Sequence, residues 1–250
     1  MSGHSKWHSI KHKKGAADAA RGKLFARLIR QIEVAAREGG GDSDANAALR
    51  TMVQNARDNS VPTDTIERAI KRGTGELEGV RYESISYEGY APHGVAVYVE
   101  CLTDNRNRTT AEVKNVFTRL GGSLAEPGAV AWQFERKGVI VLDKAAATED
   151  DLMTVTLDAG AEDIVDQGDT WQVTTPPTDL HAVRTALEGA DITVTSADLT
   201  MLPTTTVELA DESSARAVVR VIEALEEQDD VQAVHANFDI PDNVLEAVSA

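Results

Sequence analysis

The sequence predicts an α+β, multidomain protein, with an amino-terminal three-helix bundle followed by two ferredoxin-like α+β domains, one inserted within the other. Three observations carry this expectation. Residues 17–72 show helical periodicity alone. The glycine-punctuated stretch Gly73-Thr-Gly-Glu-Leu-Glu-Gly79, which lacks the spacing of a dinucleotide loop, then reads as a linker. Beyond it, β-rich runs alternate with helical ones, and residues 139–200 read β-α-β-β-α-β, the split βαβ order.

In chain order, helices are expected at 17–37, 44–58 and 63–72, the last opened by Pro62 and closed by Gly73 just past its end. Val80–Tyr87 is an edge-strand candidate, followed by a strand at 95–102 and a helix at 109–120. In that helix Thr109 and Glu112 have capping-box spacing, ahead of Gly121-Gly122. Strands follow at 129–134, 139–142, 162–166, 170–175, 192–199, 204–209 and 231–238, with helices at 149–158, 179–188 and 213–227. Removing 139–200 leaves β-α-β (95–134) joined to β-α-β (204–238). The expected domains are therefore 1–79, a discontinuous unit of 80–136 plus 203–250, and an inserted unit of 137–202. The chain crosses between the last two at Arg136-Lys-Gly138 and Leu202-Pro203. Trp132 and Phe134 alternate on one strand face, as do Trp171 and Val173, so all four are expected in cores.

The 250 residues are 42% hydrophobic, ample for packed cores. The chain opens Met1-Ser-Gly-His-Ser-Lys-Trp7 with no apolar segment after it, and no run of about 18 apolar residues occurs, so no membrane partner is expected. The single Cys101 lies in the apolar run 95–102, which excludes an internal disulfide and suits a reducing, cytoplasmic compartment. The net charge of −16 conceals a division. Residues 1–37 hold nine Lys/Arg against two acids, a net +7, whereas 80–250 hold eleven basic and thirty-one acidic residues, a net −20. Such asymmetry points to a nucleic-acid partner for the basic part, with the acidic remainder repelled by phosphate.

On a helix, Lys23, Arg27, Arg30 and Arg37 fall within an arc of about 80°. Leu24, Phe25, Leu28, Ile29, Ile32, Ala35 and Ala36 lie opposite. One face packs and the other is a cationic stripe. Ahead of it, residues 6–15 form an arm too polar to fold alone. Lys6, Lys11, Lys13 and Lys14 suit phosphates, Trp7 suits stacking on a base, and His12 adds hydrogen bonding, with Arg21 leading into the helix. Arg68, Lys71 and Arg72 end the third helix, where cations extend the footprint or simply complement the helix dipole. Asn105, Arg106, Asn107 and Arg108 form a polar stretch before a helix, suited to phosphate or base-edge contacts or to capping. His4, His8 and His12 recur every fourth residue without a companion cysteine or carboxylate, so no metal is expected. No GxSxG, Walker, HExxH or CxxC pattern occurs, and no enzyme, cofactor or catalytic residue is expected.

Several motifs together resemble the YebC/PmpR family. They are Met1-Ser-Gly-His-Ser-Lys-Trp7 with Lys11-His-Lys-Lys14, Arg21-Gly-Lys-Leu-Phe25, Val61-Pro62 with Ile66-Glu-Arg-Ala-Ile-Lys-Arg-Gly73, Tyr87-Glu-Gly-Tyr-Ala-Pro-His-Gly94, Thr103-Asp-Asn-Arg-Asn-Arg-Thr109, and Gly121-Gly-Ser-Leu124 with Trp132-Gln-Phe134. The resemblance implies a helical domain followed by two α+β domains. Bacterial members are usually labelled transcriptional regulators that bind DNA. Mitochondrial relatives are translational activators of a cytochrome c oxidase subunit, and some bacterial relatives are described as ribosome-associated factors that relieve stalling at proline-rich stretches. The expected function is thus a non-enzymatic, nucleic-acid-binding regulator of gene expression: a DNA-binding transcriptional regulator or, alternatively, a ribosome-associated translation factor that binds ribosomal RNA.

Overall fold

A computed structural model describes residues 18–241 together with Val244 and Val248. Its first three helices are α1 (Asp18–Gly39), α2 (Ala47–Asp58) and α3 (Thr63–Thr74). Asn46 starts α2 by accepting the Leu49 N–H at 3.1 Å, while its amide donates to the Ala35 and Gly40 carbonyls, tying the end of α1 to the start of α2. Leu28, Ile32, Ala36, Leu49, Val53, Val61, Ile66 and Ala69 close the core of this bundle. Gly73 is not the residue past the end of α3, as expected, but a buried member of its last turn. A Cβ there would stand 2.5 Å from the Glu33 carbonyl oxygen and 2.7 Å from the Ala36 Cβ. It is glycine because α1 and α3 approach closely, and Gly75, at φ +85°, supplies the left-handed terminus instead.

The first sheet contains β1 (Glu83–Tyr90), β2 (Ala96–Thr103), β3 (Ser123–Ala125) and β9 (Val231–Ala236), in the order β3-β1-β2-β9 with antiparallel neighbours. Two helices, α4 (Arg106–Arg119) and α7 (Glu212–Glu226), pack on it through Val113, Val116, Phe117, Val218, Ile222 and Leu225, against Val97, Val99 and Val234. The α+β class is as expected, but strand membership differs. The edge candidate forms β1, inside the sheet. Residues 204–209 contribute only β8 (Val207–Glu208), which pairs in parallel with β10 (Phe238–Asp239) apart from the sheet. Residues 129–133 are no strand, because the Glu88 carboxylate takes the N–H groups of Gly128, Val130 and Ala131 at 2.6–2.8 Å and so removes them from any ladder. Ala131–Gln133 is a 3₁₀ turn. Trp132 is consequently not a core residue: its side chain is 69% exposed, whereas Phe134 is buried. The start of α4 also differs. Asn105, not Thr109, caps it, accepting the Arg108 N–H at 3.1 Å.

The second sheet, of β4 (Phe134–Asp143), β5 (Asp163–Asp166), β6 (Thr170–Thr175) and β7 (Ser196–Pro203), has the order β5-β6-β4-β7, again antiparallel. Helices α5 (Glu149–Thr156) and α6 (Leu180–Gly189) join Ile140, Leu142, Trp171 and Val173 in its core through Leu152, Val183 and Leu187. This is the split βαβ order read from residues 139–200. β4 and β7 pair without a break from Phe134↔Pro203 to Val141↔Ser196, so the two α+β units are joined by a two-stranded ribbon. The helical bundle also touches the second unit, where Asn55 donates to Asp198 at 2.6 Å and Arg184 pairs with Asp58 at 2.8 Å.

Candidate nucleic-acid interface

The cationic stripe of α1 faces protein in this structure. Helix carboxyl ends carry unpaired carbonyls and a partial negative charge, and the end of α7 receives the stripe. Lys23 donates to the Glu227 carbonyl and Arg27 to the Glu226 carbonyl, while Arg30 donates to the Asp229 carbonyl at 2.6 Å. Carboxylates reinforce the clasp, with Lys23 3.8 Å from Asp229 and Arg30 3.6 Å from Asp230. Arg37 donates to the Val80 and Tyr82 carbonyls, and the Arg30 guanidinium lies 5.2 Å above the Tyr82 ring. Burial lowers the pKa of Arg27, against the opposing pull of Glu226. Its Nε is buried with no hydrogen-bond partner among the described residues.

Beside the clasp lies a polar cleft of about 420 Å³, lined among others by Arg30, Tyr82, Asp104, Arg108, Glu227 and Asp230. Asp230, 2% exposed, is its fixed point. One carboxylate oxygen accepts from Thr103 at 3.1 Å, from Thr109 at 2.7 Å and from Arg108 at 2.7 Å. Burial works against this charge, but the hydrogen bonds from Arg108, Thr109 and Thr103 outweigh it and hold the carboxyl below the usual range. Arg108 also pairs with Asp104 at 2.9 Å, and these two acids raise its own pKa. Thr109 and Arg108 thus position a carboxylate, and Asn105 positions the backbone.

The remaining candidates divide clearly. Arg72 pairs with the buried Glu33 at 2.5 Å. Arg68 and Lys71 are exposed on α3, where Arg68 makes a 3.3 Å bond to the Asp64 carbonyl. Arg21 is exposed, its guanidinium 5.5 Å from the Phe25 ring centre. Arg106 is exposed, and its carbonyl accepts from Thr110 at 2.7 Å and from the Tyr87 hydroxyl at 3.5 Å. Lys6, Trp7, Lys11, His12, Lys13 and Lys14 lie outside the described residues. So the structure leaves Arg21, Arg68, Lys71 and Arg106 without an acidic partner among the described residues. It gives protein partners to Lys23, Arg27, Arg30, Arg37, Arg72, Asn105 and Arg108.

Sequence reasoning missed two features. Asp230 collects donors more than a hundred residues away in the chain, for which no local pattern exists. Trp132 is presented on a turn clamped by Glu88, with its indole N–H satisfied by the Ala129 carbonyl at 3.1 Å. The turn-forming Glu126-Pro-Gly128 just ahead was the available signal. Among the described residues no three His, Cys, Asp or Glu side chains gather as metal ligands, and no helix is long and apolar enough to cross a membrane. Burial pushes the Cys101 thiol up to about 12, which keeps it protonated at neutral pH.

A helical domain carrying basic charge, clasped onto two acidic antiparallel α+β units, defines the class of protein. Two family models match it: the TACO1/YebC N-terminal domain over residues 5–76, and the TACO1/YebC second and third domain over residues 82–238. The chain belongs to the TACO1/YebC family. It is 55% identical over 252 residues to a protein of Parafrankia sp. and 53% identical over 249 residues to one of Desulfotalea psychrophila, covering all of each; both are named probable transcriptional regulatory proteins. A crystal structure of a conserved hypothetical protein from Aquifex aeolicus, 47% identical, superposes with a TM-score of 0.84 over 93% of this chain and 96% of that one.

Proposed function

We propose that this protein is a cytoplasmic, non-enzymatic, DNA-binding transcriptional regulator in which residues 1–79 supply the main hold on the nucleic acid and the two α+β units, 80–136 plus 203–250 and 137–202, carry most of the acidic charge. The observation that carries the reading is the segregation of charge, net +7 in residues 1–37 against net −20 in residues 80–250. The grip consists of Lys6, Trp7, Lys11, His12, Lys13 and Lys14 in the arm, continued by Arg21, Arg68 and Lys71. The stripe Lys23, Arg27, Arg30 and Arg37 sets the direction of the arm by fastening α1 to the α7 end. The names of the relatives support a role in transcription. Binding of the purified protein to pooled genomic duplex fragments, at near-physiological salt and with random DNA as competitor, tests the reading. Enrichment of discrete fragments is expected; recovery no better than random DNA contradicts it.

A further inference from the structure

We propose that the outer face of α4 is a second surface for duplex DNA, with Lys114 and Arg119 contacting its phosphates. The inference rests on the DNA-binding reading above and extends it onto the acidic part of the molecule. Of the eleven basic residues in 80–250, four (Arg106, Arg108, Lys114 and Arg119) belong to this one helix, which carries a single acid, Glu112. Thr109, Val113, Val116 and Phe117 are buried against the sheet. On the solvent side stand Asn107, Ala111, Lys114, Asn115, Thr118 and Arg119, all exposed.

Two cations without ion pairs mark this face. In a region of net −20, Arg108, Lys137, Lys144, Arg184 and Arg216 pair with carboxylates, and Arg81, Arg106, Arg136 and Arg220, which also form no ion pair among the described residues, do not share the outer face of α4 with Lys114 and Arg119. Lys114 and Arg119 make no ion pair among the described residues. Glu112 lines the cleft beside Asp230 instead. Between the two cations runs an open groove of about 450 Å³, floored by Ala111, Asn115 and Thr118, whose short side chains allow a phosphate backbone to come close. The two cations flank this face about 140° apart around the helix, and a polyanion is the occupant that this charge pattern fits. At about 1.5 Å per residue, α4 spans about 20 Å. That matches about six phosphates of one strand at 3.4 Å each along the duplex axis.

The duplex is favoured over a single strand because no exposed aromatic lies on this face to stack an unpaired base. DNA is favoured over duplex RNA because the B-form major groove admits a helix face whereas the A-form groove does not. Asn107 and Asn115 add amides of the kind that pair with adenine edges.

The test measures full-chain binding to a labelled 30-base-pair duplex by fluorescence anisotropy between 50 and 200 mM salt. Because both side chains are exposed, Lys114→Ala with Arg119→Ala leaves thermal melting unchanged. Removing two phosphate contacts makes the slope of log K against log salt shallower by about 1.8, so that the wild-type advantage is about tenfold greater at 50 mM than at 200 mM. Arg216→Ala with Arg220→Ala, which removes the same charge from α7, leaves the slope as in wild type. The inference is overturned if the α4 variant keeps the wild-type slope or if the α7 variant loses as much. It is also overturned if the α4 variant loses affinity for RNA of the same sequence but not for DNA. If Lys11, Lys13 and Lys14 changed to Glu still abolish binding in those cases, the α4 surface fails while the DNA-binding reading stands. If the wild-type chain binds no duplex at all, both fail.

Discussion

Asp230, Glu88 and Glu100 show how single carboxylates organise this structure. Each is held below its usual pKa, by different means. Hydrogen bonds from Arg108, Thr109 and Thr103 overcome burial at Asp230, and three backbone N–H groups overcome it at Glu88. At Glu100 the hydrogen bond from His235, 3.0 Å away, is the largest cause. A depressed folded-state pKa contributes stability that is fully present above the unfolded value, about 4 for these groups, and is lost as pH falls through the folded value. The protein is therefore expected to hold constant stability from neutral pH down to about 5 as far as these groups decide it, then to lose it steeply below about 4. Urea melts at stepped pH check this. In Asp230→Ala, which removes the acceptor that Thr103, Thr109 and Arg108 share, stability falls by about 2–4 kcal/mol at pH 7, and this deficit narrows as the medium is acidified towards pH 3. A deficit independent of pH would show that packing, and not the charge, is what Asp230 contributes. None of these carboxylates was legible in the sequence, because their partners assemble only when strands and helices distant in the chain meet.

At the scale of elements, most of the fold could be read beforehand. Periodicity placed the seven helices described, though not their caps, and the β-α-β-β-α-β run of the second unit appeared with its strands in order. What failed did so for identifiable reasons. Residues 129–134 look like a strand by alternation, but Pro127, Gly128 and the Glu88 carboxylate turn the chain there and leave Trp132 outside. Gly73 looks like a helix terminus, but serves a close helix crossing. Its role makes a sharp prediction. Gly73→Val drives a branched side chain into the Glu33 carbonyl and Ala36, and is expected to destabilise the protein by about 2 kcal/mol or more. Gly75→Ala, strained only in its φ, costs about 1 kcal/mol. Equal thermal shifts for the two variants would refute the assigned roles.

For the whole molecule, the division of charge was legible and its geometry was not. The sequence placed Lys23, Arg27 and Arg30 on one stripe of α1 but could not show what the stripe faces. The structure brings that stripe to the carboxyl end of α7, nearly two hundred residues later, where carbonyls and Asp229 and Asp230 receive it. The helix that follows the basic residues 6–15 in the sequence is therefore fastened to the acidic body. The salt dependence of duplex binding by three proteins tests the division of labour proposed between arm and stripe: the wild-type chain, one with Lys11, Lys13 and Lys14 changed to Ala, and one with Lys23 and Arg27 changed to Ala. The arm variant should lose about 2.7 from the slope of log K against log salt at about 0.9 per phosphate, whereas the stripe variant should keep the wild-type slope and melt at lower temperature. A stripe variant that loses slope as the arm variant does, with its melting temperature intact, would show instead that the stripe itself holds phosphate.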